Sequence, residues 1–130
     1  MNSQSTPQII LTHFQWSLAR LKEAIDKENT EYYRGAALHR FKITYTLGLQ
    51  AIRAYAKAQG QICVTEISCF HWVKKKKWLE KTVDENNILA DYEKVQNQPK
   101  GKEAKMIYEA LPKYYTFLNH LSQHMQSINE

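Results

Sequence analysis

Five histidines, two cysteines and a run of four lysines are the groups in this 130-residue chain most able to do chemistry. His120 and His124 stand four apart, a spacing that puts two imidazoles on one helical face. A zinc site needs further ligands, and neither a Glu-x-x-His pattern nor a third ligand accompanies this pair. Surface or boundary histidines are therefore expected, with no metal and no cofactor. His71, beside Trp72, could serve as a general base, whereas a polar boundary position accounts for His39. Cys63 and Cys69 lie six apart with no CxxC partner, which predicts reduced thiols, one or both buried, rather than a disulfide or metal pair. Lys74, Lys75, Lys76 and Lys77 could bind RNA phosphates or an acidic partner. Four consecutive lysines point all round a helix or fill a loop, however, and a solvated turn is the simpler reading. Arg34 and Arg40 could touch a partner or a phosphate. Capping and pairing along the helix, with Glu28 or Glu31, is the plainer account.

These groups need a scaffold, and composition bounds it. The chain is 43% hydrophobic and 24% charged, with 4 Gly and 3 Pro. That profile fits one globular helical domain and excludes a disordered or low-complexity chain. No apolar run approaches the roughly 18 residues needed to span a bilayer. The segment 1–8 is polar, without the order of a signal peptide, and is expected to be flexible ahead of a single domain over 9–128. A cytoplasmic protein is expected. A net charge of +5 suits an acidic partner, RNA or a nucleotide and proves none of them.

Hydrophobic periodicity sets out the elements. Ile10, Phe14, Leu18, Leu21 and Ile25 form one stripe of an amphipathic helix, with Trp16 off the stripe as a hint of a second contact surface. The spacing predicts a second helix over about 31–59, closed by Gly60. It is apolar on two sides, through Phe41, Tyr45, Gly48, Ile52 and Tyr55, and through Leu38, Ile43, Leu47 and Ala54. That surface is too wide for one small bundle, so a subunit interface and a homodimer are expected. Gly48 is expected to admit a neighbouring backbone. Thr65 is a candidate N-cap for a short helix carrying Ile67, Phe70 and Val73. Trp78, Leu79 and Val83 then open a third long helical segment reaching about Tyr92, and Asn97 to Gly101 is a loop. The last helix carries Ile107, Leu111, Tyr114, Leu118, Leu121, Met125 and Ile128, with Pro112 expected to kink it or mark its first turn. The sum is an all-α, up-and-down four-helix bundle with an additional short helix.

The stretch from Arg34 to Tyr55 goes beyond periodicity. Arg34, Arg40, Phe41, Thr44, Tyr45 and Leu47 match the signature helix of the nucleotidyltransferase substrate-binding protein family, which the chain resembles from about Ile10 to Met125. Trp78-Leu79-Glu80 and the run Ile107 to Tyr114 look like two further family segments. The resemblance implies a HEPN-like helical subunit, usually dimeric, that docks a minimal nucleotidyltransferase. Phe41, Tyr45 and Leu49, with Arg34 and Arg40, would then be the partner-binding residues. Lys42, Thr46 and Leu49 depart from that pattern, replacing two acids and a tryptophan.

In toxin–antitoxin relatives the HEPN subunit is a ribonuclease whose motif reads Arg, four residues, His, one residue, Tyr. The matching segment here runs Asp84 to Tyr92, with Asp84, Asn86 and Tyr92 kept, Glu85 at the Arg position and Ala90 at the His position. Cleavage of RNA needs a proton-transfer group near the 2′-hydroxyl and a cation at the phosphate. Glu85 repels a phosphate and Ala90 holds no proton. The resemblance thus implies a non-catalytic nucleotidyltransferase partner subunit. The alternative is a ribonuclease toxin with a site rebuilt from His71 and the lysine run. Tyr92 stands where relatives are modified, and a packing aromatic at a helix end is the plainer role.

Overall fold

The computed structural model describes residues 6–79 and 85–128, which form five α-helices and no strand among the described residues. Helix α1 (Thr6–Ile25) begins inside the segment expected to be flexible, and its inward stripe is Leu11, Phe14, Leu18 and Leu21. Helix α2 (Glu31–Ala58) starts at an N-cap, Thr30, whose side chain accepts from the Tyr33 amide at 3.2 Å. Its other end is a Schellman closure. Gly60 takes φ +80°, and the amides of Gly60 and Gln61 donate to the carbonyls of Lys57 and Ala56.

Helix α3 (Glu66–Lys75) carries a reciprocal capping box between Thr65 and Ser68. Its C-terminus corrects the sequence reading. Rather than feeding a long helix at Trp78, the lysine run stops α3. Lys77 adopts φ +64°, its amide donates to Lys74, and the Trp78 amide reaches back to the Val73 carbonyl. This is again a Schellman closure, with lysine where glycine is usual, and buried Trp78 supplies the hydrophobic contact that such ends favour. Val83, expected on the same long helix, lies outside the described residues. Helix α4 (Glu85–Gln96) and helix α5 (Gly101–Ile128) complete the chain. Pro112 lies well inside α5, which runs on through it, so it does not mark the first turn.

Helix α2 is the hub, since it packs against α1, α5, α3 and α4. One flank meets α1 and α5. Gly48 belongs there, because a Cβ at that position would come within 3.1 Å of the Phe14 ring and 3.6 Å of Leu118. The close neighbour is therefore an aromatic side chain of the same chain, not a backbone. A buried hydroxyl pair, Ser17 to Thr44 at 2.7 Å, crosses the same seam. Thr44 donates onward to the Arg40 carbonyl at 2.8 Å, so Ser17 is the donor in the pair. The opposite flank meets α3 and α4 through an aromatic chain. Tyr45 stacks on Tyr92 at 4.0 Å and contacts Phe70, and Phe70 meets Phe117 edge-on. Burial of each such ring contributes roughly 2–3 kcal/mol, which is what fastens the two short helices.

This packing overturns one expectation. Much of the wide apolar surface of α2 is covered by four helices of its own chain, while Ile43, Leu47 and Ala54 stay half-buried. Phe41, Tyr45 and Leu49 are 0%, 1% and 5% exposed. They are core residues, not partner anchors.

A second correction concerns the cysteines. The connector after Gly60 turns back so that Cys63 lies over the second turn of α3, and Cys63 and Cys69 form a disulfide with Cα atoms 5.0 Å apart. Both cysteines are buried. Their flanking residues Ile62 and Val64 point outward and are exposed.

Candidate functional site

The positions singled out by the ribonuclease comparison gather around α4. Glu85, the first residue of α4 and the position where the resemblance expects arginine, is buried and forms an ion pair with Lys74 from the end of α3. Burial pushes its carboxyl up. Hydrogen bonds from Lys74 and its own amide, with the charges of Lys74 and His71, more than offset this and hold it below the usual range. The lysine run is thereby divided. Lys74 is spent on Glu85, Lys76 lies 5.7 Å over the Trp72 ring, and Lys75 and Lys77 are exposed. The four lysines do not form one anion cradle.

Ala90 is exposed and contributes only a methyl group. Asn86, next to Glu85, also faces outward. Asp84 lies outside the described residues. Tyr92 is half-buried, stacked on Tyr45, and its hydroxyl lies 2.9 Å from Thr46 Oγ1. Because Thr46 already donates to the Lys42 carbonyl, the Tyr92 hydroxyl is the donor of this bond. Tyr92 thus ties α4 to α2, and any electrophile must first break that tie.

Arg34 and Arg40 are not brought together. Arg34 donates to Asn29 Oδ1 at 2.8 Å, across the helix start rather than to Glu28 or Glu31. Arg40 is half-buried one and a half turns further on. His71 is exposed on α3, on the side of Glu85, while His120 and His124 are exposed on α5. Among the described residues no group of three His, Cys, Asp or Glu side chains could hold a metal ion. Nor is any described helix long and apolar enough to cross a membrane.

One feature escaped the sequence reading, and a second was only hinted at in it. The first is an unpartnered hydroxyl in the core. The Tyr45 oxygen is buried and makes no hydrogen bond among the described residues. Burial pushes this phenol far above the ordinary tyrosine range, and the Glu66 carboxylate, Tyr92 and the Glu93 carboxylate add to the effect. Its sequence neighbours, Thr44 and Thr46, gave no sign of it. The second is the outer face of α1, where Trp16 is 61% exposed and Ile9, seven residues earlier, is 44% exposed. Arg20 lies 5.2 Å over the Trp16 ring and pairs with Glu23. The off-stripe position of Trp16 was the available signal. No family model matches this sequence, and no curated protein matches it.

Proposed function

We propose that this chain is a non-catalytic, HEPN-like partner subunit of a minimal nucleotidyltransferase, derived from a toxin–antitoxin type module. One observation carries the non-catalytic part. At the helix where the resemblance calls for arginine and histidine, Glu85 is folded in against Lys74 and Ala90 offers a methyl group. The cation nearest the motif is neutralised and the proton carrier is missing, so the chemistry of RNA cleavage lacks both parts. The all-helical architecture and the Arg34–Tyr55 pattern support the family reading. With Phe41, Tyr45 and Leu49 in the core, the partner surface moves to α1. Trp16 and Ile9 are exposed apolar side chains one heptad apart, and a tryptophan is the residue type most enriched among energetic hot spots.

One observation favours the second reading, a ribonuclease with a rebuilt site. His71 lies close enough to Glu85 for its charge to act on that carboxyl, so a histidine, a lysine and a glutamate converge between α3 and α4. The deciding experiment co-expresses the chain with a nucleotidyltransferase encoded beside it and measures complex mass by light scattering. The purified chain alone is assayed on RNA in parallel. Co-elution that Trp16→Ala weakens about tenfold or more, with no RNA cleavage, is expected. Cleavage by the wild-type chain that His71→Ala abolishes would replace the first reading with the second.

A further inference from the structure

Between α2 and α3 the chain leaves helical structure over 61–64, and a single sulfur–sulfur bond is its main hold. The hydrogen bonds that close α2 end at the Gln61 amide, and those that cap α3 begin at Thr65. Among the described residues, no backbone-to-backbone bond involves Ile62, Cys63 or Val64. Ile62 and Val64 are 85% and 75% exposed, so neither side chain packs the segment down. Exposed Arg53 donates from Nη2 to the Val64 carbonyl at 3.2 Å. Of the three side chains only Cys63 turns inward, to its disulfide with Cys69.

The other end of that bond is anchored without it. Cys69 is fully buried on α3, and its amide donates to the Thr65 carbonyl at 3.0 Å. The Thr65–Ser68 capping box secures the same turn, and Phe70, the next residue, packs on Tyr45 and Phe117. The bond thus joins a weakly held segment to a firmly held helix. What would hold the segment without it is slight. The Cys69 sulfur lies 3.5 Å from the Cys63 carbonyl, and a thiol there is only a weak donor. The cysteines are six apart, so closing this short ring restricts the unfolded chain less than a long one would.

We propose that Cys63–Cys69 is a reversible redox latch on the α2–α3 connector. Oxidised, it fixes 61–64 against α3 with Ile62 and Val64 turned outward. Reduced, it frees 61–64 while the five helices keep their packing. The co-reactant is a low-molecular-weight thiol of the glutathione class. Its thiolate attacks the Cys63 sulfur, on the less buried of the two residues, and the S–S bond breaks to expel the Cys69 thiolate. A second thiolate attacks the small thiol's sulfur in the mixed disulfide and expels the Cys63 thiolate. The protein disulfide gains two electrons, both cysteines take up a proton, and the two small thiols leave as one disulfide. An excess of that small disulfide runs the steps backward. The latch does not rest on the nucleotidyltransferase reading, so either can fail without the other.

The test is amide NMR relaxation on the intact chain in glutathione buffers of varied redox ratio, with free thiols counted by alkylation and mass. Order parameters of the Ile62, Cys63 and Val64 amides are expected to fall from about 0.85 in the oxidised protein to below about 0.6 in the reduced one. Those of α3 and α5 are expected to stay unchanged, and reoxidation to restore the connector. Cys63→Ala, which leaves Cys69 in its core position, is expected to be mobile at 62–64 in every buffer. Equal order parameters in both states, loss of order throughout the helices on reduction, failure to reoxidise, or an ordered connector in Cys63→Ala would each overturn the proposal.

Discussion

Tyr45 and Tyr92 stack on one another, yet their hydroxyls stand in opposite situations, and removing each in turn should shift stability in opposite directions. The Tyr45 oxygen is buried without a partner among the described residues, so folding strips it of water and returns nothing. Tyr45→Phe keeps the ring, its 4.0 Å stack on Tyr92 and its contacts with Phe41 and Phe70. Relief of a desolvated hydroxyl is worth roughly 1–3 kcal/mol. A gain of about 1 kcal/mol is expected, because a phenol in a packed core retains some favourable contact with ring edges. Tyr92→Phe removes a donor bonded to Thr46 at 2.9 Å and should cost about 1 kcal/mol. Urea unfolding followed by circular dichroism reads both. With a slope of about 1.5 kcal/mol/M, the midpoints should separate from wild type by roughly 0.7 M, upward for Tyr45→Phe and downward for Tyr92→Phe. A fall in midpoint for Tyr45→Phe at unchanged slope would refute the reasoning, since it would mean that the hydroxyl has a partner in solution.

Three further outcomes follow from particular contacts. Glu85→Gln should destabilise the fold by about 1.5 kcal/mol at pH 7 by breaking the charge-assisted bond to Lys74. The folded carboxyl titrates below its ordinary value, so its contribution is full above the unfolded value near ~4.3 and disappears as pH falls through the folded value. The gap between wild type and variant in thermal melts should therefore begin to narrow as pH falls below the unfolded value and close only once the lower, folded value is passed. Lys77→Gly should stabilise by about 0.5–1 kcal/mol, because Lys77 occupies the left-handed region at φ +64° with no helix beyond it to reward the strain. An unchanged or lower midpoint would count against that end of α3. Reduction of Cys63–Cys69, six residues apart, should cost about 2 kcal/mol from loop closure alone. Alkylation of the native protein before reduction should label neither cysteine, and labelling of both would contradict the pairing.

Local signals made parts of this fold readable from sequence. Thr65 and Ser68 cap α3 through their own side chains, and Gly60 ends α2 through its own backbone freedom, so both boundaries are written where they occur. The inward stripes of α1 and α5 follow from spacing alone. The end of α3 was hidden because Lys77, not glycine, takes the left-handed position. The width of the apolar face on α2 was legible, but its cause was not. A wide face looks the same whether a second subunit or four helices of one chain cover it. The disulfide was missed because the connector's return over α3 is a tertiary event. The bond from Tyr114 on α5 to Asp91 on α4 was missed for the same reason, since the two helices meet only when residues 97–100 reverse the chain.

On the proposed reading, the pairing of Lys74 with Glu85 bears on how such a subunit could lose or regain cleavage. In this fold position 85 is buried against position 74, so an arginine there would press a second cation onto Lys74 with no carboxylate between them. An unpaired buried charge costs several kcal/mol, far more than a surface substitution. Glu85→Arg with Ala90→His alone should therefore unfold or loosen the α3–α4 junction before it can restore chemistry. Adding Lys74→Glu, which swaps the charges of the pair, should recover the thermal midpoint with Arg and His on one helix, the minimum needed for RNA cleavage on the proposed reading. If the double variant is as stable as wild type, positions 74 and 85 are not in contact in solution. If the triple variant folds but remains inert on RNA while docking a nucleotidyltransferase normally, the proposed reading needs more than the two residues Glu85 and Ala90 to account for the lack of cleavage.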